Sequence, residues 1–191
     1  MSYKDKNNIG GWNPDMPEGK RKWDVGSLFA SEGERLYDLV REHKPKKIIE
    51  VGTRYGCSTV HIATALKDNG FGVVHCYDTE DIHKPFPKEL REYIKFHHQD
   101  YFEVKDKTCD MLYEDGAHTI GFTKRVLSET KASKVVAVHD FLHWDCKETV
   151  RNEAISVMGR PTEIFDHEES DCGLGIWVKG DPMVKRCVSC G

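Results

Sequence analysis

The chain has 191 residues, with 32 acidic and 28 basic side chains and a formal net charge of −4. That length suits one well-buried domain rather than two, and the mild acidic balance excludes the global basic field that holds nucleic acid non-specifically. No stretch approaches the roughly 20 apolar residues needed to span a bilayer, and the N-terminus runs into polar residues instead of a signal core, so a soluble, cytoplasmic protein is expected. The seven cysteines show no disulfide-like rhythm and read as reduced thiols.

Residues 1–27 read as an irregular arm, because Gly10-Gly11-Trp12-Asn13-Pro14 and Pro17-Glu18-Gly19 sustain neither strand nor helix periodicity. Trp12 and Trp23 imply that part of the arm folds back, and a homodimer formed by exchanging it fits the pattern. Ser31 and Glu34 have capping-box spacing; Leu36, Leu39 and Val40 follow at helical intervals until Pro45. Strand and helix signals then alternate: strand 47–51, helix 58–67, strand 72–77, a short helix over 87–93, strand 94–98, strand 109–113, helix 119–130, strand 134–139 and helix 147–158. Two late strands, 161–165 and 173–179, flank a polar loop at 166–172. Connections long enough for crossovers make the first five strands parallel, and the short last link makes the final strand antiparallel. The domain is expected over residues 28–180, with a tail at 181–191.

After the first strand, Glu50-Val51-Gly52-Thr53-Arg54-Tyr55-Gly56-Cys57-Ser58 forms a glycine-bearing turn into a helix. A dinucleotide fingerprint would need glycine where Arg54 stands, and no Gly-Lys-Ser/Thr follows, so pyrophosphate and phosphate-loop ligands are disfavoured. Glu50 suits a cationic group, which points to a ligand with an amino acid moiety, a sulfonium and an adenosine. Asp78 can accept from ribose hydroxyls and Asp100 from an adenine amino group, while Tyr101 or Phe102 packs on the ring.

This turn, together with Glu114-Asp115-Gly116-Ala117-His118, Val138-His139-Asp140-Phe141 and Gly173-Leu174-Gly175-Ile176, resembles the class I S-adenosylmethionine-dependent methyltransferases, in the branch of small-molecule O-methyltransferases and cephalosporin-hydroxylase-like proteins. The resemblance covers roughly residues 31–179. It implies a Rossmann-like α/β three-layer sandwich whose seven-stranded, mostly parallel sheet has its last strand antiparallel. It also implies that Gly52, Arg54, Gly56 and Ser58 border the methionine part of S-adenosylmethionine and Asp78 its ribose; Thr53, Tyr55 and Asp115, beside them, are expected to bind the cofactor as well.

Asp115, His118, His139 and Asp140 are all expected at the carboxyl edge of the sheet, and two mechanisms stay open. Asp115, His139 and Asp140 could bind a divalent metal such as Mg²⁺ that acidifies an acceptor hydroxyl. Alternatively His118 or His139 acts as general base, with Asp140 beside it. Relatives that bind Mg²⁺ carry a paired Asp-Asp where this chain has His139-Asp140, and imidazole suits softer metals better. His143 and Trp144 either line the acceptor pocket or anchor the next helix. Cys187 and Cys190 have the spacing of a zinc half-site without two further ligands, so a reduced tail is preferred.

The function expected is transfer of a methyl group to a hydroxyl of a small molecule, such as a sugar or secondary metabolite. The alternatives are a cephalosporin-hydroxylase-like oxidative enzyme on the same fold and a cofactor-binding protein without catalysis. Nucleic-acid methylation is disfavoured, since Lys20-Arg21-Lys22 reads as solvated surface.

Overall fold

The structure, a computed structural model, describes residues 28–81, 86–167 and 170–180. The arm with Trp12 and Trp23, the Lys20-Arg21-Lys22 cluster and the tail with Cys187 and Cys190 lie outside the described residues. Helix α1 (Ala30–His43) leads to β1 (Lys47–Val51), α2 (Cys57–Asn69), β2 (Val73–Asp78), β3 (Ile94–His98), β4 (Thr108–Glu114), α3 (Phe122–Glu129), β5 (Lys131–Val138), α4 (Asn152–Met158), β6 (Glu163–His167) and β7 (Ser170–Val178). Short 3-10 turns at Lys88–Tyr93 and Tyr101–Glu103 flank β3, and a π turn at Lys147–Arg151 leads into α4. No helix among the described residues is long and apolar enough to cross a membrane.

One seven-stranded sheet has the order β3-β2-β1-β4-β5-β7-β6. Strands β1 to β5 pair in parallel, and β7 pairs antiparallel with both β5 and β6. The chain moves outward from β1 through β2 to β3, then returns to place β4 on the other side of β1. That reversal opens a crevice beyond the carboxyl ends of β1 and β4, where open α/β sheets bind ligands.

The strands are apolar on both faces because helices cover both. Ile48, Val74, Met111 and Val135 pack on one side with Leu36, Leu39 and Val40 of α1 and Ile62 and Leu66 of α2. Ile49, Leu112, Val136 and Val138 pack on the other with Val126 and Leu127 of α3 and Ala154 of α4. Continuous runs such as Val135-Val136-Ala137-Val138 are what such a three-layer sandwich requires.

Several boundaries differ from the sequence expectation. Helix α1 begins at Ala30, and its reciprocal cap runs from the Phe29 N–H to Glu32 Oε2 at 3.1 Å, so Glu32 takes the role expected of Glu34. Helix α3 starts only after Gly121, at φ 87°. Strand β5 begins at Lys131, and the final hairpin pairs as far as His167 with Ser170, because ladder hydrogen bonds are indifferent to the polar side chains that obscure the pattern. The expected helix over 147–158 opens with a π turn, a feature periodicity does not reveal.

Candidate active site

The level register of β1 to β5 brings the residues that follow each strand to one edge. Val51 pairs with Tyr77 and Glu114, Asp78 with His98, and Glu114 with Val138. The glycine turn, Asp78, Asp100, Asp115 and His139-Asp140 therefore share that edge.

The turn is built from the backbone outward. Gly52 has φ 85°, and a Cβ there would lie 2.0 Å from the Asp115 carbonyl oxygen, so only glycine lets the ends of β1 and β4 approach this closely. Arg54 is also left-handed, at φ 46°, and Gly56 caps α2. Asp78 steadies the turn: its Oδ2 accepts the Thr53 and Arg54 N–H groups at 2.8 Å each, and its Oδ1 accepts from the Glu80 N–H at 2.9 Å. A carboxylate has about four lone-pair positions, so Asp78 keeps accepting capacity beyond these three bonds. Thr53 Oγ1 is buried without a hydrogen-bond partner among the described residues. Tyr55 stands 40% exposed with the Arg54 guanidinium over its ring.

Three residues expected to touch the cofactor do not reach this edge's exposed surface. Glu50 is fully buried, and Ser58 Oγ and Thr59 Oγ1 each donate to its carboxylate at 2.5 Å. It binds the end of β1 to the first turn of α2, and burial pushes its carboxyl up to about 7 against the lowering effect of those two donors. Ser58 is correspondingly turned inward. Tyr101 is 3% exposed, packed edge-on against Tyr77, with its hydroxyl paired to Thr130 Oγ1 at 2.7 Å; it is a core residue rather than a platform for a base. Asp100 is exposed and caps the 3-10 turn after β3 through the Phe102 N–H at 2.9 Å.

Beyond β4 and β5 the side chains converge. His139 is 7% exposed; its Nδ1 faces Asp115 Oδ1 at 3.1 Å and Asp140 Oδ2 at 3.3 Å, while Nε2 faces Glu32 Oε2 at 3.1 Å. Burial disfavours its charge, but Asp115, Asp140 and Glu32 outweigh that and hold the ring well above the usual histidine range. Asp140 adopts φ 52°, a strained conformation for a non-glycine residue. Burial would raise its carboxyl; His118 and His139 instead draw it well below the usual carboxylate range. His118, more exposed at the rim, contacts Asp140 Oδ2 through Nε2 at 2.9 Å and Cys146 Sγ through Nδ1 at 3.3 Å. The Asp140 contact raises its pKa, against partial burial.

Glu32 and Cys146 escaped sequence reasoning, and Cys172, weighed there only as a partner for the Cys187/Cys190 half-site, lies instead beside His139 and Asp140. Glu32 is fully buried, accepts the Gly173 N–H at 2.8 Å, and reaches the site from the first turn of α1. Its signal was positional: residues 32, 36 and 40 share one helical face, so a carboxylate stands in line with Leu36 and Val40 on the core stripe. His143 contacts the Cys146 thiol at 3.6 Å and stacks with Trp144, whose side chain is 75% exposed.

Two of the three expected metal ligands, His139 and Asp140, have donor atoms within 4.8 Å of one another and of Cys172 Sγ, a grouping that could hold a metal ion. A ligating imidazole must turn a bare nitrogen to the ion, and both nitrogens of His139 face carboxylates. Donor atoms of His118, Asp140 and Cys146 also lie within 4.8 Å of one another, but the His118 ring already joins the other two, one through each nitrogen.

Residues 49–145 match the family model of a methyltransferase domain. No curated protein matches the chain. Among solved structures, the O-methyltransferase TomG from Streptomyces achromogenes, in complex with SAM, is 19% identical, with a TM-score of 0.60 over 81% of this chain and 82% of that one. The O-methyltransferase from Bacillus cereus, in complex with SAH, is 14% identical, with a TM-score of 0.56 over 82% and 84%. The SAH-bound methyltransferase PaMTH1 from Podospora anserina is 15% identical, with a TM-score of 0.56 over 81% and 80%. At such identities the likeness is one of fold. The family match is independent of it and runs from β1 to the turn after β5, over half the sequence and every strand end at the site: this chain belongs to the methyltransferase domain family.

Proposed function

We propose that the chain is an S-adenosylmethionine-dependent methyltransferase whose acceptor is a hydroxyl of a small molecule, with His118 as general base. The observation that carries this reading is the Asp140–His118 contact of 2.9 Å at the strand edge that also bears the glycine turn. Similarity of fold to structures named as O-methyltransferases and solved with SAM or SAH supports it.

The edge suits such a cofactor by its donor set. Gly52, Thr53, Arg54, Tyr55 and Gly56 form the wall, and Asp78, Asp100 and Asp115 present acceptors rather than the lysines a phosphate would need. When bound, S-adenosylmethionine supplies a methyl carbon on a positively charged sulfur. Asp78 and Asp100 suit ribose hydroxyls and the adenine amino group, while Asp115, partly exposed, suits a cationic group.

Acceptor chemistry favours oxygen. A hydroxyl is a weak nucleophile until its proton leaves, so transfer to oxygen profits from a positioned base. Asp140 accepts from His118 Nε2–H, which leaves the lone pair on Nδ1, the nitrogen that now meets the Cys146 thiol. With the cofactor bound, Nδ1 would take the acceptor hydroxyl's proton as the oxygen accepts the methyl group. His143 meets the same Cys146 thiol and stacks with the exposed Trp144, and these two side chains would contact the acceptor.

Titration calorimetry with S-adenosylmethionine and its demethylated product is the test, followed by turnover on a panel of phenols and sugars. The wild type and His118→Gln should bind the cofactor alike, while the variant loses about a hundred- to ten-thousand-fold in kcat. Absence of binding at millimolar cofactor would sink the reading.

A further inference from the structure

Two imidazoles turn to one buried sulfur, a convergence that methyl transfer does not call for. Cys146 is 5% exposed; His118 Nδ1 stands 3.3 Å from its Sγ and His143 Nδ1 3.6 Å from it. Cys146 closes the 3-10 turn Trp144–Cys146 after β5, its N–H donating to the His143 carbonyl at 3.1 Å. Such a turn eclipses residues three apart, so the side chains of His143 and Cys146 leave it on one side. His118 arrives from the loop between β4 and α3. A thiol is a weak donor and a weak acceptor, so two imidazoles gain little from it as hydrogen-bond partners. As a thiolate, the same sulfur is a strong ligand for a soft cation, and imidazole is the companion ligand that such a cation takes.

Tetrahedral zinc, with bonds of about 2.3 Å to sulfur and about 2.0 Å to nitrogen, sets those two donor atoms about 3.5 Å apart. Both sulfur–nitrogen separations, 3.3 Å and 3.6 Å, match that edge. Asp140 adds the outer support: its Oδ2 lies 2.9 Å from His118 Nε2, the carboxylate–histidine contact that aims the opposite nitrogen at a metal. We propose that Cys146, His118 and His143 form a Zn²⁺ site at the rim of the strand edge, with water in the fourth position, and that the ion shuts off methyl transfer by occupying His118 Nδ1. His143 swings about its contact with the sulfur to become the third ligand. Binding exchanges the thiol proton for the ion: the S–H bond breaks, an S–Zn bond forms and the proton leaves to solvent. Zinc displaces whatever hydrogen lies between Sγ and Nδ1, so the site is indifferent to the tautomer of the free ring.

The neighbouring group of His139, Asp140 and Cys172 suits this ion less well. Both His139 nitrogens face carboxylates, and Cys172 Sγ donates to Asp171 Oδ1 at 3.6 Å. That histidine is also buried, whereas the side chains of His118 and His143 are 40% and 25% exposed and leave the ion a way in. The ligands proposed here are separate from Asp115, His139 and Asp140, and their sulfur and nitrogen donors select a softer cation than Mg²⁺. The binding half of the inference stands on these contacts; the inhibitory half rests on the methyltransferase reading, in which Nδ1 is the base.

The test uses the full chain, reduced, stripped with chelator and carrying Cys187→Ser and Cys190→Ser so that the paired tail thiols take no ion. Co²⁺ should bind once per chain and give the near-ultraviolet band of charge transfer from thiolate to metal, and one equivalent of Zn²⁺ should abolish it. Cys146→Ser should lose the band and bind zinc at least about a hundred-fold more weakly, whereas Cys172→Ser should keep both. Asp140→Asn releases the His118 ring and should weaken zinc by about ten-fold. If Cys146→Ser does not fold, X-ray absorption at the zinc edge of the unchanged site decides, by counting one sulfur and two imidazoles. With an acceptor that is turned over, one equivalent of zinc should lower the rate at least about ten-fold and chelator should restore it. A cobalt complex without the band, a band that survives in Cys146→Ser or vanishes in Cys172→Ser, or a zinc-loaded chain that works at full rate would overturn the proposal. The spectra need neither methyl donor nor acceptor, so loss of the zinc site and failure to bind S-adenosylmethionine are separate results.

Discussion

At the scale of single residues, the shared oxygen of Asp140 sets how His118 responds to pH. Asp140 raises the His118 pKa above its ordinary 6.5 while partial burial opposes it. Since the neutral ring is the base, turnover should rise with pH through that elevated value. Asp140→Asn removes the charge that holds the proton, so the rising limb should move to lower pH while kcat falls; a kcat profile against pH reads both changes. A limb that stays in place would show that another group takes the proton. Residue type and strand position sufficed to bring Asp115, His118, His139 and Asp140 to one edge, because all four follow strands whose pattern is plain. Tyr101 shows the limit of that reasoning. An aromatic just past a strand can face the ligand or the core, and packing against Tyr77 with a bond to Thr130 selects the core.

At the scale of elements, the turn from β1 to α2 is held from three sides: by Asp78 on its backbone, by Glu50 on the hydroxyls of α2, and by the Asp115 carbonyl against Gly52. Gly52→Ala places a methyl group into that carbonyl in a left-handed conformation and should cost about 3 kcal/mol, read from chemical denaturation. Loss of cofactor affinity should accompany it, since β1 and β4 must separate. The turn was legible from its two glycines, as were β1 and β3 to the residue. What stayed hidden was every contact made across the chain. The part of Glu32 depends on residues 107 and 141 positions away, and no local window contains them.

For the molecule as a whole, proton uptake on folding sets the pH dependence of stability. His139 lies well above its ordinary value, so its contribution is present below about 6.5 and fades as pH rises through the folded value. Glu50 and Glu114, each pushed by burial from 4.5 to about 7, act in the same direction over that interval. Asp140 opposes only in strong acid, where its depressed carboxyl takes up a proton, and His61, which burial lowers from 6.5 to about 4, opposes more weakly as one group against three between those values. The melting temperature should therefore be higher near about pH 5 than near about pH 8, and the difference should shrink in Glu50→Gln. An unchanged or rising melting temperature over that interval would contradict the assignment of these groups.

One carboxylate touches Phe29 near the start of the described chain, His139 at the end of the central strands, and Gly173 in the closing hairpin. Loop-closure entropy makes such distant partners slow to meet, so a refolding chain gains its sheet before its chemistry. The candidate site thereby doubles as a seal on completed folding: a polypeptide that stops short of its last strand lacks the Gly173 N–H that fixes Glu32 beside His139.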